Sequence, residues 1–301
     1  MNNELTNLTV VILTHKTNKN TLENCLSSID PKVKIILIEN SKIFLQKDLI
    51  ENKYKNVSIF CSGSNLGYGG GNNFGLKLTK TPYALILNPD TVCKNNFFEN
   101  IKEYLNDRID YSIIGCQYEN DPNWQPAGYF NKKTNLNDMQ KKDKQKLIKV
   151  DWVVGCAMLI NLNKFSSKAI FDENFFLFFE EFDLCKIMKL KNEKVFSSKK
   201  LIINHLGLKS SYSEKIYEYE FIKLRNWHYM WSFFYYHKKN EGFLKALIAS
   251  KGRLLRSLFK IFYFSIIINR KERLKYSYRF LGLINAIIGK KSWYRINDQE
   301  N

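Results

Sequence analysis

The sequence predicts an α/β protein built on a mostly parallel, doubly wound sheet. Three observations support this. Short apolar runs alternate with stretches of helical spacing from Leu8 to Cys116, and the connections between them are short, as in successive strand–helix units. The run Tyr83-Ala-Leu-Ile-Leu87 is apolar throughout and ends abruptly in Asn88-Pro89-Asp90, the pattern of a strand buried on both faces with a tight turn at its carboxyl end. In open α/β sheets that edge is where ligands bind, and Asp90 stands where a carboxylate can hold a divalent cation through hard oxygen ligands. Asn-Pro-Asp is also an ordinary turn sequence, so the motif needs support from the rest of the chain.

The elements follow in order. Leu8–Thr14 has a buried-strand pattern, and Thr21–Ile29 carries Leu22, Cys25, Leu26 and Ile29 at helical spacing. A second strand over Val33–Ile38 ends in Glu39-Asn40-Ser41, and a helical segment near Gln46–Lys53 leads to a third strand, Val57–Cys61. The glycine-rich stretch Asn65-Leu-Gly-Tyr-Gly-Gly-Gly-Asn-Asn-Phe-Gly75 opens a helix to about Lys80. After Tyr83–Leu87 come a helix around Asn95–Leu105 and a strand over Tyr111–Cys116. Asn131–Lys149 is Lys-rich without apolar periodicity and reads as a mobile surface loop. Order returns over Val150–Ile160. The aromatic run Phe171–Phe179 reads as buried, and Glu180 begins an amphipathic helix. Strand-like Lys194–Ser197 and Leu201–Asn204 lead to His205-Leu206-Gly207. From there the pattern is helical over Tyr217–Lys238, Phe243–Ile268 and Lys271–Gly289. A division at 211/212 separates the α/β part from a basic helical part.

The 301 residues carry 47 Lys and Arg against 29 Asp and Glu, a net charge of +18, and the imbalance is concentrated late. From Leu206 onward there are 19 Lys or Arg against seven Asp or Glu. Such a basic region suits an anionic lipid surface, a phosphorylated substrate or nucleic acid. Six scattered cysteines without a Cys-x-x-Cys pair point to buried thiols in a reducing compartment. Met1-Asn2-Asn3-Glu4 has neither the basic nor the apolar region of a signal peptide, and Ile261–Ile268 is too short to span a membrane. A cytoplasmic location, peripheral on the inner membrane face, is therefore expected.

Three constellations can carry chemistry. The Asn65–Gly75 segment follows the third strand rather than the first, so it is no dinucleotide fingerprint, although a glycine-rich helix start can still present N–H groups to an anion. It reads equally well as a plain loop running into a helix. Glu180-Glu181-x-Asp183 puts three carboxylates in one helical turn, either as an acidic first turn or as a general base whose pKa is raised by like charges. His205 is one of four histidines. It is structural unless an acid such as Asp90 converges on it to make a metal site.

Taken in order, Thr14, Glu39-Asn40-Ser41, Asn65–Gly75, Leu87–Asp90, Asp151-Trp152-Val-Val-Gly155, Phe179–Cys185 and His205-x-Gly207 resemble the family 2 inverting glycosyltransferases of GT-A fold. The likeness is greatest to the rhamnosyltransferase-like branch of surface-polysaccharide synthesis, and it covers about Leu8 to Ser211. It implies that Thr14, Glu39 and Ser41 meet the nucleotide. Asn65, Gly67, Gly71, Asn72 and Asn73 would close over the nucleotide sugar. Asn88 and Asp90 would replace the family's Asp-x-Asp, with Asp90 ligating Mg2+ or Mn2+ and His205 as a further ligand. Trp152 and Gly155 would line the sugar and acceptor site, and Glu181 would be the base, flanked by Glu180 and Asp183. The implied partners are a nucleotide-diphosphate sugar donor, dTDP-rhamnose by the branch resemblance, and a saccharide or lipid-linked acceptor. Glu stands at both the base and the second-strand acid, where the family usually has Asp. That substitution keeps a catalytically inactive sugar-nucleotide binder as an alternative. The aromatic–basic interleaving of Tyr217–Tyr236 keeps a nucleic-acid-binding protein as another, although no nucleic-acid motif accompanies it.

Overall fold

The computed structural model describes residues 4–106, 108–119, 126–130, 146–205 and 218–296. Most of the Lys-rich 131–149 stretch, Leu206-Gly207 and the 211/212 division lie outside the described residues. The chain forms two compact units: residues 1–66, 70–172 and 181–213 make the first, and residues 67–69, 173–180 and 214–301 the second.

The first unit is an α/β body. Its strands are β1 (Leu8–Thr14), β2 (Lys34–Glu39), β3 (Val57–Cys61), β4 (Tyr83–Leu87), β5 (Thr91–Cys93), β6 (Ile113–Tyr118), β7 (Ala127–Gly128), β8 (Leu147–Val150), β9 (Trp152–Val153), β10 (Ala157–Asn161) and β11 (Val195–His205). Its helices are α1 (Lys19–Ser27), α2 (Lys47–Lys53) and α4 (Phe97–Ile101), together with α3 (Gly67–Leu78) and α5 (Glu180–Leu190) apart from their first residues, Gly67–Gly69 and Glu180, which fall in the second unit. The principal sheet runs β3-β2-β1-β4-β10-β6-β11-β5, with β8 also on β11, while β7 and β9 pair separately.

From β3 to β4 every pairing is parallel. β1, β2 and β4 are largely buried on both faces, which is why their sequences are nearly continuous apolar runs, whereas β3 at the sheet edge alternates, with Val57 and Ile59 buried and Ser58 and Phe60 exposed. Beyond β4 the sheet is mixed. β10 is antiparallel to both β4 and β6, and β11 is parallel to β6 but antiparallel to β5 and β8. The two strand-like pieces expected near Lys194 and Leu201 are a single strand, β11, with a register shift between Ser197 and Ile202. Residues 147–149, expected in the loop, instead form part of β8: Ile148 and Val150 turn inward against β11, leaving Lys149 outward.

Local chemistry sets the helix positions. The Asn18 side chain accepts from the Asn20 and Thr21 amides and starts α1 there. α3 lies close on β1 because Gly71 and Gly75 have no side chains. A Cβ at Gly71 would run into Leu13, and one at Gly75 into Val11. Of the six cysteines, all free, only Cys61 is not buried. Burial pushes the Cys93, Cys156 and Cys185 thiols up to about 12, so they remain neutral.

The second unit contains the helices α6 (Glu218–Glu241), α7 (Phe243–Ile266) and α8 (Arg270–Ile287). Its core is Trp227, Met230, Trp231, Phe234, Ala246, Leu283 and Ala286. At Gly282 the α8 backbone comes so close to α6 that a Cβ would collide with the Trp227 carbonyl. No helix among the described residues is long and apolar enough to cross a membrane.

Candidate active site

The register of the parallel strands gathers the first group of residues. Thr14 at the end of β1 pairs with Glu39 at the end of β2. Glu39 is buried: its Oε2 accepts from the Thr14 hydroxyl at 2.8 Å and its Oε1 from the Lys16 amide at 3.3 Å. The carboxylate thereby braces Lys16 in a left-handed conformation at φ 51°. Beside it runs a chain that the sequence did not suggest. The two rings nitrogens of His15 meet the Asn40 carbonyl at 3.0 Å and the Asn65 amide at 3.1 Å, and Asn40 donates to Asn65 at 3.0 Å. Asn40 also accepts from the Leu66 amide, 2.9 Å away, and so fixes the start of the glycine-rich segment. The available signal was His15 itself, directly after Thr14 at a strand end. Ser41 donates to the Ile43 carbonyl and caps its own turn.

Within the glycine-rich segment the expected residues separate. Gly67 adopts φ 77°, and a Cβ there would strike the Phe176 carbonyl, which accepts the Tyr68 amide at 2.8 Å. Gly71 packs on β1, and Asn72 is fully buried. Asn73 is fully buried too, and its amide bridges Phe171 in both directions, donating to the carbonyl at 2.9 Å and accepting from the amide at 3.0 Å. Asn65 joins the His15 chain, whereas Gly71 and Asn73 have packing roles that account for them.

The second group lies after β4. The Asn88 amide is tied to the Cys156 carbonyl at 2.8 Å, and Thr91 closes the turn on the Asn88 carbonyl at 3.1 Å. β5, too short to be legible in the sequence, then pairs with β11 and puts Thr91 opposite His205. As a result His205 Nε2 stands 3.3 Å from Asp90 Oδ1, although the two are far apart in sequence. Asp90 is only 1% exposed, and the His205 ring stacks on Tyr118 with centroids 5.7 Å apart.

Among the described residues no cluster of three or more His, Cys, Asp or Glu forms an all-protein metal cage. The pair still suits Mg2+ or Mn2+, which commonly take one or two protein ligands and complete their shell with water and phosphate oxygens. The buried Thr91 hydroxyl next to Asp90, with no hydrogen-bond partner among the described residues, adds an oxygen of the right hardness.

The third group stands on α5. Glu180 and Asp183 are buried, and Glu181 is partly exposed. Desolvation pushes the Glu181 carboxyl from 4.5 up to about 7, against the opposing pull of its own N–H and that of Gly155. Gly155 is thus a donor to the candidate base, a role its backbone supplies. Trp152 packs on Phe182 with ring centroids 4.9 Å apart, and Asp151 next to it is held by Lys189 at 2.6 Å and by the Phe130 amide at 3.0 Å. A carboxylate poised near neutral pH is matched to taking a proton from a hydroxyl.

A sheet with a parallel half, an acidic turn at the end of its central strand and a carboxylate-led helix is the layout of the GT-A fold. Solved structures share it at low sequence identity. GalNAc-T7, in complex with UDP, GalNAc and Mn2+, matches with a TM-score of 0.55 and 12% identity over 77% of this chain and 51% of its own. The mannosyltransferase PcManGT of Pyrobaculum calidifontis, in complex with GDP-Man and Mn2+, matches at 0.53 and 10% over 93% and 87%. S. aureus TarS 1-349 matches at 0.51 and 12% over 96% and 93%.

The glycosyl transferase family 2 model matches residues 9–167, and the chain belongs to that family. It is 25% identical over 202 residues to the low-salt glycan biosynthesis hexosyltransferase Agl10 of Haloferax volcanii, a match spanning 62% of this chain and 63% of that relative. It is 28% identical over 193 residues to the rhamnosyltransferase WbbL of Escherichia coli K12, spanning 57% of this chain and 72% of WbbL.

Proposed function

We propose that the protein is a metal-dependent inverting glycosyltransferase that moves a sugar from a nucleoside-diphosphate donor to a saccharide acceptor in cell-surface polysaccharide synthesis. The observation that carries this is Glu181, a carboxylate held by the Gly155 amide with its pKa raised to about 7, in a chain of family 2. Glu181 removes the proton of the acceptor hydroxyl as its oxygen bonds to the anomeric carbon. The bond from that carbon to the diphosphate breaks on the opposite face, and its electron pair leaves with the nucleoside diphosphate. One base and no covalent nucleophile suffice for inversion.

Asp90 and His205 would hold Mg2+ or Mn2+, which when bound neutralises charge on the departing diphosphate. Both GalNAc-T7 and PcManGT are described with Mn2+. Thr14, Glu39, Ser41, Asn65 and Asn88 surround the nucleotide in this reading. Gly67, Gly71, Asn72 and Asn73 shape the glycine-rich segment over it, and Trp152 offers an aromatic face to a sugar ring. Glu180 and Asp183 flank the base.

The name of WbbL makes rhamnose, carried as dTDP-rhamnose, the first donor to try. A lipid-linked acceptor fits the basic carboxyl-terminal third and places the enzyme peripherally on the inner face of the cytoplasmic membrane. Residues 1–211 would be the catalytic domain and 212–301 the basic helical one.

The test is a panel of nucleotide sugars incubated with purified protein, Mn2+ and polysaccharide-derived acceptors, with released nucleoside diphosphate as readout. Turnover of one donor that falls away in Glu181→Gln supports the proposal. Nucleotide binding without turnover of any donor would make the chain an inactive sugar-nucleotide binder.

A further inference from the structure

We infer that α7 is a membrane-docking helix whose exposed ridge inserts into the interface of an anionic lipid bilayer. At 24 residues it is about 36 Å long. Ala246, Ser250 and Ser257 are its fully buried residues, and Leu247 and Leu254 beside them pack against the core of the helical unit. The large apolar side chains point outward: Leu244, Ile248, Leu255, Phe259, Phe262 and Ile266 are each 57–75% exposed. At about 100° per residue these six fall within an arc of about 60°, one continuous stripe along the helix. The helix therefore carries a second apolar face besides the one that covers the core, and this one is exposed.

The charges identify the occupant. Between Phe243 and Lys271 there are seven Lys or Arg and no Asp or Glu. Lys245 and Arg256 lie exposed on one flank of the stripe, and Lys251 interrupts it. A second copy seated on this face by a twofold axis would bring two uncompensated cationic ridges together, which disfavours self-association. A nucleic acid would satisfy the cations but leave the Leu, Ile and Phe stripe in water. An anionic bilayer answers both features at once: acyl chains receive the stripe and headgroup phosphates meet the flanking cations. The helix is too polar to cross the bilayer and is suited to lying in its surface. The inference serves the proposed lipid-linked acceptor but stands on this surface alone.

The experiment uses the full chain in co-sedimentation with vesicles of phosphatidylcholine, with and without phosphatidylglycerol, at low and high salt. Two variants are compared with it: L255Q/F259Q/F262Q on the stripe and K245Q/K251Q/R256Q on the cations. Both change exposed side chains to a good helix former, and circular dichroism checks the fold.

Wild type is expected to bind the phosphatidylglycerol vesicles at low salt and to weaken at high salt. The cation variant should lose about 100-fold in partitioning and the stripe variant at least tenfold. Transfer to a short water-soluble acceptor, measured alongside, should be unchanged in both variants, so that failure of the transferase reading is seen separately. Equal binding by all three proteins, no binding by wild type at low salt, or concentration-dependent dimerisation or oligonucleotide binding abolished by the same variants in place of lipid binding would each overturn the assignment.

Discussion

Replacing Glu181 by Gln tests the proposed base directly and separates rate from stability. The substitution keeps the shape but cannot accept a proton, so turnover should fall by about 100- to 10,000-fold while donor affinity stays within a few-fold. The ionised carboxylate is the form expected to be active with Glu181 as the proposed base. With its pKa near 7, the rate should rise tenfold per pH step below that value and level off above it, so that pH 6 gives about one tenth of the plateau. The Cys156 and Cys185 thiols that act electrostatically on Glu181 are pushed up to about 12 and do not titrate in this window.

Stability should run the other way. Burial raises the folded-state value from 4.5 to about 7, so the protonated form is the comfortable one in the folded protein. Below pH 4.5 no penalty exists. Between 4.5 and 7 the unfolded chain ionises first, and stability falls as pH rises. The full displacement corresponds to about 3 kcal/mol, and because Glu181 keeps part of its surface in water about 1–2 kcal/mol is expected. Gln lacks this loss, so denaturant titrations should show Glu181→Gln gaining on wild type by that amount between pH 4.5 and pH 8. Initial rates of nucleotide release from pH 5.5 to 8.5 give the activity profile. A flat profile together with near-normal turnover of Glu181→Gln would refute the assignment, and an inactive Asp183→Asn alongside it would move the role to Asp183.

Asp90→Ala should abolish Mn2+-dependent binding of nucleoside diphosphate in calorimetry while the melting midpoint in the absence of metal stays close to wild type; retained metal-dependent affinity would remove Asp90 from the site. His205→Ala should weaken the apparent Mn2+ affinity by about tenfold and leave metal-free nucleotide binding unchanged. Asn73→Ala should act on the fold, because the Phe171 backbone loses the two hydrogen bonds that the Asn73 amide makes to it: a fall of about 5–10 °C in the melting midpoint, read by calorimetry, is expected.

Most of the parallel half of the sheet was legible because burial on both faces writes itself as an unbroken apolar run, as in Tyr83–Leu87, while β3, buried on alternate residues, was marked by Val57 and Ile59; β3 and β4 have the bounds the sequence suggested. The helix start at Glu180 was legible for a related reason, an abrupt change from aromatic to acidic residues. What escaped depends on pairing. β5 is three residues long, and nothing in Thr-Val-Cys announces a strand until β11 lies beside it. β8 hid within a Lys-rich stretch, since four residues give too short a window for alternation to stand out. The His15–Asn40–Asn65 chain joins three loops through side-chain hydrogen bonds whose partners lie 25 and 50 residues apart, a separation no local pattern encodes. The juxtaposition of Asp90 and His205 follows from β5; the sequence offered it as a condition on His205 and through the family resemblance, while no local pattern encodes it.

The aromatic approach to α5 shows how local preference and function diverge. Phe178 and Phe179 have φ values of 72° and 71°, a region that bulky residues avoid at a cost of about 1–3 kcal/mol each. Propensity alone would have forbidden this turn. It persists because the rings are held from several sides: Phe178 lies against Tyr229 and under Arg225, and Phe179 is enclosed by Tyr229, Phe233 and Tyr236. Each ring pair contributes about 0.5–1.5 kcal/mol beyond the area it buries, so the contacts on these two residues together offset the backbone strain. The aromatic run that the sequence presents as mere core thus holds two successive left-handed residues immediately before α5, the helix whose first turn carries Glu181, the candidate base.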